Sequence, residues 1–166
     1  MSSSETNIRN AVPADVPLIM ELIRALADYE KLSDRVTATP ELIERALFGP
    51  RPWAECLIAE TDGVGAGLAL FFHNFSTFIG KPGIYLEDLF VKPEFRGRGI
   101  GQSLLSRLAQ IAIERDCSRM EWAVLDWNEP AIKFYRSLGA APMDDWEIFR
   151  LTGEALAALA TKTAEV

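Results

Sequence analysis

Residues 85–101 read YLEDLFVKPEFRGRGIG, and they predict a strand, a glycine-rich turn and the start of a helix. The apolar stretch from Ile84 to Val91 is typical of a strand, which Pro93 ends. Three glycines that permit a tight turn follow it, at Gly97, Gly99 and Gly101. The free N–H groups at the start of the next helix favour a phosphate, so this stretch predicts an anion-binding loop.

The spacing of the glycines narrows the class of phosphate ligand. A nucleotide triphosphatase loop needs Lys and then Ser or Thr after its last glycine, whereas Gly101 is followed by Gln102. The dinucleotide-binding pattern G-x-G-x-x-G also fails, because its sixth position counted from Gly97 is Gln102. The spacing Arg-x-x-Gly-x-Gly at Arg96, Gly99 and Gly101 instead resembles the pyrophosphate loop of coenzyme A acetyltransferases.

With these residues the chain resembles the GNAT acetyltransferase superfamily, and within it the spermidine/spermine (diamine) acetyltransferase branch. Three other segments carry the resemblance: LADYE at 26–30, YLED at 85–88 and WNEPAIKFY at 127–135. The resemblance implies an α/β fold with a mixed central sheet flanked by helices. It also implies a single N-acetyltransferase domain over residues 1–166, with a core of about 8–151, a homodimer, and transfer of the acetyl group of acetyl-CoA to a primary amine.

The resemblance also implies roles for individual residues. The pantetheine arm is expected to pair with backbone groups of Leu89, Phe90 and Val91. The pyrophosphate is expected in the loop formed by Arg96, Gly97, Arg98, Gly99, Ile100, Gly101 and Gln102. The rest of the cofactor pocket is expected to include Asn128, Glu129, Pro130 and Tyr135. The residues that match the amine site are Tyr29, Glu30 and Glu87.

Two of these residues are expected to move protons. Attack on a thioester needs a neutral amine, so a base must accept the ammonium proton, and Glu87 suits that role directly or through water. Tyr135 is placed to protonate the departing thiolate. Strand alternation predicts opposite faces for Glu87 and Asp88, so Asp88 is interpreted as structural.

Composition excludes several other classes of protein. With 17 basic and 24 acidic residues the net charge is −7, which argues against a nucleic-acid module and suits a cationic partner. Two cysteines, Cys56 and Cys117, indicate a reduced, cytoplasmic protein. The sequence predicts neither a signal peptide nor a membrane span. The single histidine, His73, disfavours a histidine metal site, and the chemistry requires no metal.

Two alternatives in function stay open at this point. The acceptor is a polyamine, a diamine or a lysine-like amine, or else another amine such as an amino acid, an antibiotic or a protein lysine. A non-catalytic acetyl-CoA-binding regulator is the alternative outside enzymes.

Near the end of the chain, residues 146–151 predict a last strand, and an alanine-rich helix is expected from Gly153 onward.

Overall fold

The computed structural model describes residues 5–162, which divide after Leu125 into two compact units. The described part of the first unit, up to Leu125, contains three α-helices and five strands. In chain order these are β1 Thr6–Asn10, α1 Val16–Tyr29, α2 Pro40–Phe48, β2 Glu55–Thr61, β3 Val64–Ser76, β4 Lys81–Val91, α3 Ile100–Glu114 and β5 Met120–Trp122. The second unit, from Asp126, contains two helices: α4 Glu129–Ser137 and α5 Gly153–Thr161. The prediction of a single domain with a core of about 8–151 stays a prediction.

The five strands form one mixed sheet in the order β1-β2-β3-β4-β5. The first four are antiparallel neighbours, whereas β5 runs parallel to β4 and pairs with it only over residues 84–86. Helices α1 and α2 pack on the sheet through an apolar cluster that includes Ile19, Leu22, Leu47 and Ile58. Helix α3 buries the apolar face that Leu104, Leu105 and Leu108 define. The predicted α/β class with a mixed sheet flanked by helices is therefore confirmed.

Local sequence signals account for several of the element boundaries. Thr39 caps α2, because its Oγ1 accepts a hydrogen bond from the Leu42 N–H at 3.3 Å. Asp62 and Gly63 both have positive φ, 51° and 78°, as a two-residue turn between β2 and β3 requires. Asp15 precedes α1, but its carboxylate binds the Arg9 guanidinium at 2.7 and 2.8 Å and makes no side-chain cap of the helix.

The predicted strand over residues 146–151 is wrong. No strand follows β5 in the part of the chain that the structure describes, although residues 146–151 have a strand-like composition. A strand needs hydrogen bonds to a neighbouring strand, and residues 126–162 contain only helices and irregular segments. Residues 141–151 are all exposed, and among them Trp146 has 75% and Phe149 has 90% of its surface accessible.

Candidate active site

The centre of the candidate site is a β-bulge in β4 at Glu87. Leu70 of β3 pairs with Asp88, and the next residue, Phe71, pairs with Leu86, so Glu87 has no partner in the register. A bulge of this kind bends a strand and changes the direction of its side chains. Leu70 belongs to the apolar cluster under α1 and α2, and paired residues share a face, so Asp88 lies on that side of the sheet. Leu86 pairs with Phe71 and therefore lies on the opposite side, so alternation from Leu86 places Glu87 on the α1/α2 side as well. The prediction that these two carboxylates lie on opposite faces is therefore wrong.

Three carboxyl groups meet near this bulge. Burial first, and then the charges of Glu87 and Glu30, raise the pKa of Asp88 to about 6. Burial alone raises the pKa of Glu30, which follows the last turn of α1. Tyr85, two residues before the bulge, also has a raised pKa, because it is partly buried and faces the charges of Glu87 and Glu121. The local field is therefore negative and attracts a cation.

The strand changes its pairing at the same position. Parallel pairing with β5 ends at Leu86, so residues 87–91 of β4 have a strand neighbour, β3, on one side only. That side is closely packed, since a Cβ atom on Gly67 would lie 2.5 Å from the Phe90 carbonyl oxygen. The other side of residues 87–91 has no strand partner in the described chain, so an extended ligand can pair with it.

The glycine loop has the conformation that its sequence predicts. Gly97 and Gly99 have φ of 74° and 76°, in the left-handed region that favours glycine. Gly99 caps α3 without a side-chain hydrogen bond, so the N–H groups of Ile100, Gly101 and Gln102 have no intrahelical acceptor. These backbone donors and the helix dipole are suited to bind an anion just after β4.

The two arginines of the loop bind the loop itself. Arg96 donates from Nε to the Val91 carbonyl oxygen at 3.0 Å, and its guanidinium carbon lies 5.1 Å from the centre of the Tyr29 ring. Arg98 donates from Nη2 to the Glu94 carbonyl oxygen at 3.1 Å. Both side chains therefore hold the loop in shape, while the backbone N–H groups at the start of α3 stay available to an anion.

The remaining predicted residues lie in the second unit, on α4. Asn128 is buried, and its Oδ1 accepts a hydrogen bond from the Ala131 N–H at 3.4 Å, which caps the helix. Glu129 and Pro130 form the first turn, where a proline needs no hydrogen-bond acceptor. Tyr135 lies in the last turn, with its ring 5.6 Å from that of Phe134.

The first unit thus brings Tyr29, Glu30 and Glu87 into the same region as residues 89–102, whereas the other candidates belong to α4. Asp88 is the residue that sequence reasoning placed wrongly. The Glu-Asp pair inside an apolar strand marks this position in the sequence. Only the observed register, however, reveals the bulge that moves Asp88 to the same face of the sheet as Glu87. Within residues 5–162, no group of three or more His, Cys, Asp or Glu side chains is placed to hold a metal ion.

Comparison with known proteins identifies the family. Residues 19–140 match the acetyltransferase (GNAT) family. The chain therefore belongs to this family and is an acetyltransferase, as its sequence predicts.

Residues 5–162 contain no helix with the length and apolar character that a bilayer crossing needs.

Two curated relatives and one solved structure show which members of the family the chain is similar to. It is 41% identical over 166 residues to the thialysine N-epsilon-acetyltransferase of Bos taurus, with 93% of this chain and 97% of that protein covered. It is 36% identical over 159 residues to the human spermidine/spermine N(1)-acetyltransferase-like protein 1, with 90% of this chain and 23% of that protein covered. An integron cassette protein from the mobile metagenome of V. cholerae superposes with a TM-score of 0.80 at 27% identity, covering 96% of this chain and all of that one. The predicted diamine acetyltransferase-like branch is confirmed.

Proposed function

We propose that the enzyme transfers the acetyl group of acetyl-CoA to the primary amine of a small cationic acceptor, by direct attack of the amine on the thioester. The observation that carries the proposal is the bulge at Glu87. There an acidic cluster, a strand without a second partner and an anion-binding loop occur on one strand and its continuation. These three features match the amine, the pantetheine arm and the pyrophosphate of the two substrates.

Acetyl-CoA binding is derived from the backbone of β4 and of the loop. Leu89, Phe90 and Val91 offer N–H and C=O groups on the side away from β3, and the amide groups of a pantetheine arm have the matching donors and acceptors. The N–H groups at the start of α3 then hold the pyrophosphate. The family resemblance adds Asn128, Glu129 and Pro130 of the second unit as further proposed acetyl-CoA contacts.

The acceptor must lose a proton before it reacts. A primary amine with a pKa of about 10.4 is neutral in only about one molecule in 2,500 at pH 7. Glu87 is exposed beside the site where the strand loses its partner, so its carboxylate accepts the ammonium proton directly or through water. The amine nitrogen then forms the new C–N bond at the thioester carbonyl.

The tetrahedral intermediate carries a negative charge on the former carbonyl oxygen. Backbone N–H groups near Leu89 are suited to stabilise that charge, because β3 leaves one side of this segment without a strand partner. When the C–S bond breaks, coenzyme A leaves as a thiolate, and Tyr135 donates the phenolic proton to it. The acetylated nitrogen then loses its second proton to solvent, the Tyr135 phenolate takes up a proton from solvent, and Glu87 releases the proton that it accepted.

The negative field at the bulge favours an acceptor with a second positive charge. Lysine-like diamino acids and polyamines both fit this requirement, and the two curated relatives bear the names of both substrate classes. The relative from Bos taurus matches at higher identity and over nearly its whole length. We therefore propose a lysine-like side-chain amine as the first candidate and a polyamine as the second, with Tyr29 and Glu30 as further contacts.

Mass spectrometry of the products tests this function. The purified protein is incubated with acetyl-CoA and one of thialysine, lysine, spermidine, spermine, putrescine or a lysine peptide. We expect acetylated thialysine or lysine to accumulate fastest. Detection of the product itself avoids the background that Cys56 and Cys117 give with thiol dyes.

Matched variants separate the possible outcomes. Glu87→Gln should lower kcat about 100- to 10,000-fold while the Kd for coenzyme A stays unchanged. The exposed Glu44 on α2 is the control, and Glu44→Gln should match the wild type. Coenzyme A binding without product from any amine would identify the regulator instead. Absence of coenzyme A binding would contradict the proposal as a whole.

We also propose a homodimer and a cytoplasmic location. The dimer is supported by the exposed apolar side chains of the second unit, which a second copy would remove from water: Met143, Trp146, Ile148 and Phe149. Sedimentation velocity at micromolar concentration should give about twice the monomer mass of 18.4 kDa.

The cytoplasmic location is supported by Cys56 and Cys117, which form no disulfide in the described chain.

A further inference from the structure

A side-chain bridge crosses the sheet at Gly83, in the middle one of three neighbouring strands. Asn74 of β3 pairs with Gly83 of β4, and it donates from Nδ2 to Oε1 of Glu121 on β5 at 2.9 Å. The same carboxylate oxygen lies 2.7 Å from Nε of Arg119 in an ion pair. Asn74 and Glu121 therefore connect β3 with β5, two strands that are not neighbours in the sheet.

The bridge depends on the absence of a side chain at Gly83. A Cβ atom there would clash with Oδ1 of Asn74 and would lie 3.2 Å from the Arg119 carbonyl oxygen. Oδ1 of Asn74 is buried and accepts no hydrogen bond within residues 5–162. An amide group turned the other way would bring this oxygen against the Glu121 carboxylate. The bond to Glu121 therefore sets the orientation of Asn74, although it leaves a buried acceptor without a partner.

The bridge lies close to the position where β4 loses its second neighbour. The parallel pairing joins residues 84–86 of β4 to Met120–Trp122 of β5, and a strand of three residues specifies its own register weakly. A shift of β5 by two residues would leave every side chain on its present face, so the apolar pattern does not exclude it. Such a shift toward the end of β4 would cover residues 87 and 88. It would also move Glu121 about 6.6 Å away from Asn74.

We propose that Asn74 and Glu121 are positioning residues for acetyl-CoA binding, because their bridge fixes the register of β5 and keeps the main chain of residues 87–91 uncovered. The inference rests on the proposed function, in which this main chain binds the pantetheine arm. Without the bridge, β4 exchanges between an open and a covered form, and acetyl-CoA binds only the open one. Saturating acetyl-CoA then restores the open form, so the loss affects donor affinity and not kcat.

The Kd for coenzyme A, measured by calorimetry, tests the bridge. Asn74→Ala and Glu121→Ala should each raise it about tenfold, because the binding-competent form is less populated. The double variant should bind no more weakly than either single variant, since both changes remove the same contact. Glu121→Gln keeps an oxygen that accepts from Asn74, so its Kd should stay within about threefold of the wild type. At saturating acetyl-CoA, kcat should be within about a factor of two of the wild type in all of them.

A matched control lies at the other side of the sheet. The hydroxyl groups of Thr6 and Thr61 connect β1 and β2 at 3.2 Å, so Thr6→Val removes a cross-strand contact that does not involve β4. This variant should unfold at a lower temperature and leave the Kd for coenzyme A unchanged.

Amide hydrogen exchange gives a readout that does not depend on activity. Ile84 donates its N–H to the Arg119 carbonyl oxygen at 3.0 Å, where β4 and β5 begin to pair. Exchange of this hydrogen should be faster in Asn74→Ala than in the wild type, and slow again once coenzyme A is bound.

Three results would overturn the inference. They are an unchanged Kd in Asn74→Ala, an equal rise of Kd in Thr6→Val, and a kcat that stays low at saturating acetyl-CoA. If Asn74→Ala does not fold, the contrast between Glu121→Ala and Glu121→Gln makes the same test. A wild type that binds no coenzyme A would instead contradict the proposed function.

Discussion

The guanidinium carbon of Arg96 lies 5.1 Å from the centre of the Tyr29 ring. This contact connects the anion-binding loop after β4 with the last turn of α1, where Glu30 adds a carboxyl group to the acidic cluster. The same guanidinium lies 5.5 Å from the centre of the Phe90 ring on β4. One side chain therefore contacts both the glycine loop and the end of α1.

Replacement of Tyr29 by leucine tests this link. Loss of a cation–π contact costs about 0.5 to 1 kcal/mol, so Tyr29→Leu should raise the KM for acetyl-CoA about two- to fivefold. Tyr29→Phe retains the ring and should leave that KM within about a factor of two. Steady-state kinetics with varied acetyl-CoA makes the measurement, and equal effects of the two variants would exclude the ring contact as the cause.

Strain at the loop glycine gives a second prediction. Gly99 has φ of 76°, and no atom lies within 4 Å of the position of an added Cβ, so Gly99→Ala acts through the backbone and not through a clash. The left-handed conformation costs a non-glycine residue about 1 to 2 kcal/mol, and a loop that relaxes directs its N–H groups elsewhere. We expect the Kd for coenzyme A to rise about tenfold, as measured by calorimetry.

The turn between β2 and β3 offers the matched control. Gly63 has φ of 78° and equally open surroundings, but it lies outside the loop. Gly63→Ala should lower the free energy of unfolding by a similar amount and leave the Kd for coenzyme A unchanged. A rise in Kd in this control would mean that the effect at Gly99 reflects general destabilisation.

Removal of the Tyr135 hydroxyl tests the proton donor. Tyr135→Phe should lower kcat by about one to three powers of ten, because the thiolate then leaves without its proton donor. The phenylalanine keeps the packing of the ring against Phe134 in α4. Pre-steady-state measurement of product formation reports the chemical step, and an unchanged rate would remove Tyr135 from the acid role.

The ion pair between Arg9 and Asp15 predicts a pH dependence of stability. Hydrogen bonds from the Arg9 guanidinium, and next the Val12 N–H, hold the pKa of Asp15 below its usual value, although burial opposes them. Because the folded-state pKa is the lower one, the stabilisation is present above the unfolded pKa of about 3.9 and is lost as the pH falls through the folded value.

Asp15→Asn should therefore lower the free energy of unfolding by about 1 to 3 kcal/mol at pH 7. The difference from the wild type should shrink below pH 4 and vanish once Asp15 is protonated in the folded state. Urea unfolding at pH 7, 5 and 3 checks this. Glu60→Gln removes the more exposed partner of Arg9 and should cost less at pH 7. A difference that is constant with pH would rule out the ion pair as its source.

Much of the fold could be predicted because its signals are local. The Thr39 cap, the turn at Asp62 and Gly63, and the loop glycines each depend on a few adjacent residues. The bulge at Glu87 could not be predicted, because it is a mismatch of register between two strands that no single segment contains. The directions of the Arg96 and Arg98 side chains depend likewise on rings and carbonyl groups that folding brings near them.

The error over residues 146–151 has a different cause. Alternation and composition report the tendency of a segment to extend, but a strand exists only where another backbone completes its hydrogen bonds. Among the described residues of the second unit no strand offers those bonds, and Trp146, Ile148 and Phe149 remain exposed. Sequence patterns therefore predicted the character of this segment correctly and its structure wrongly.

The half-paired stretch of β4 has a consequence for how such enzymes diversify. If main-chain groups of residues 87–91 recognise the acetyl donor, every substitution there except proline keeps the donor-binding groups intact. The proposed acceptor site, in contrast, consists of side chains, such as Glu87 on β4 and Glu30 at the end of α1. Mutation can then change which amine is accepted while binding of the common acetyl donor is retained. New amine specificities can therefore arise through intermediates that are still active acetyltransferases.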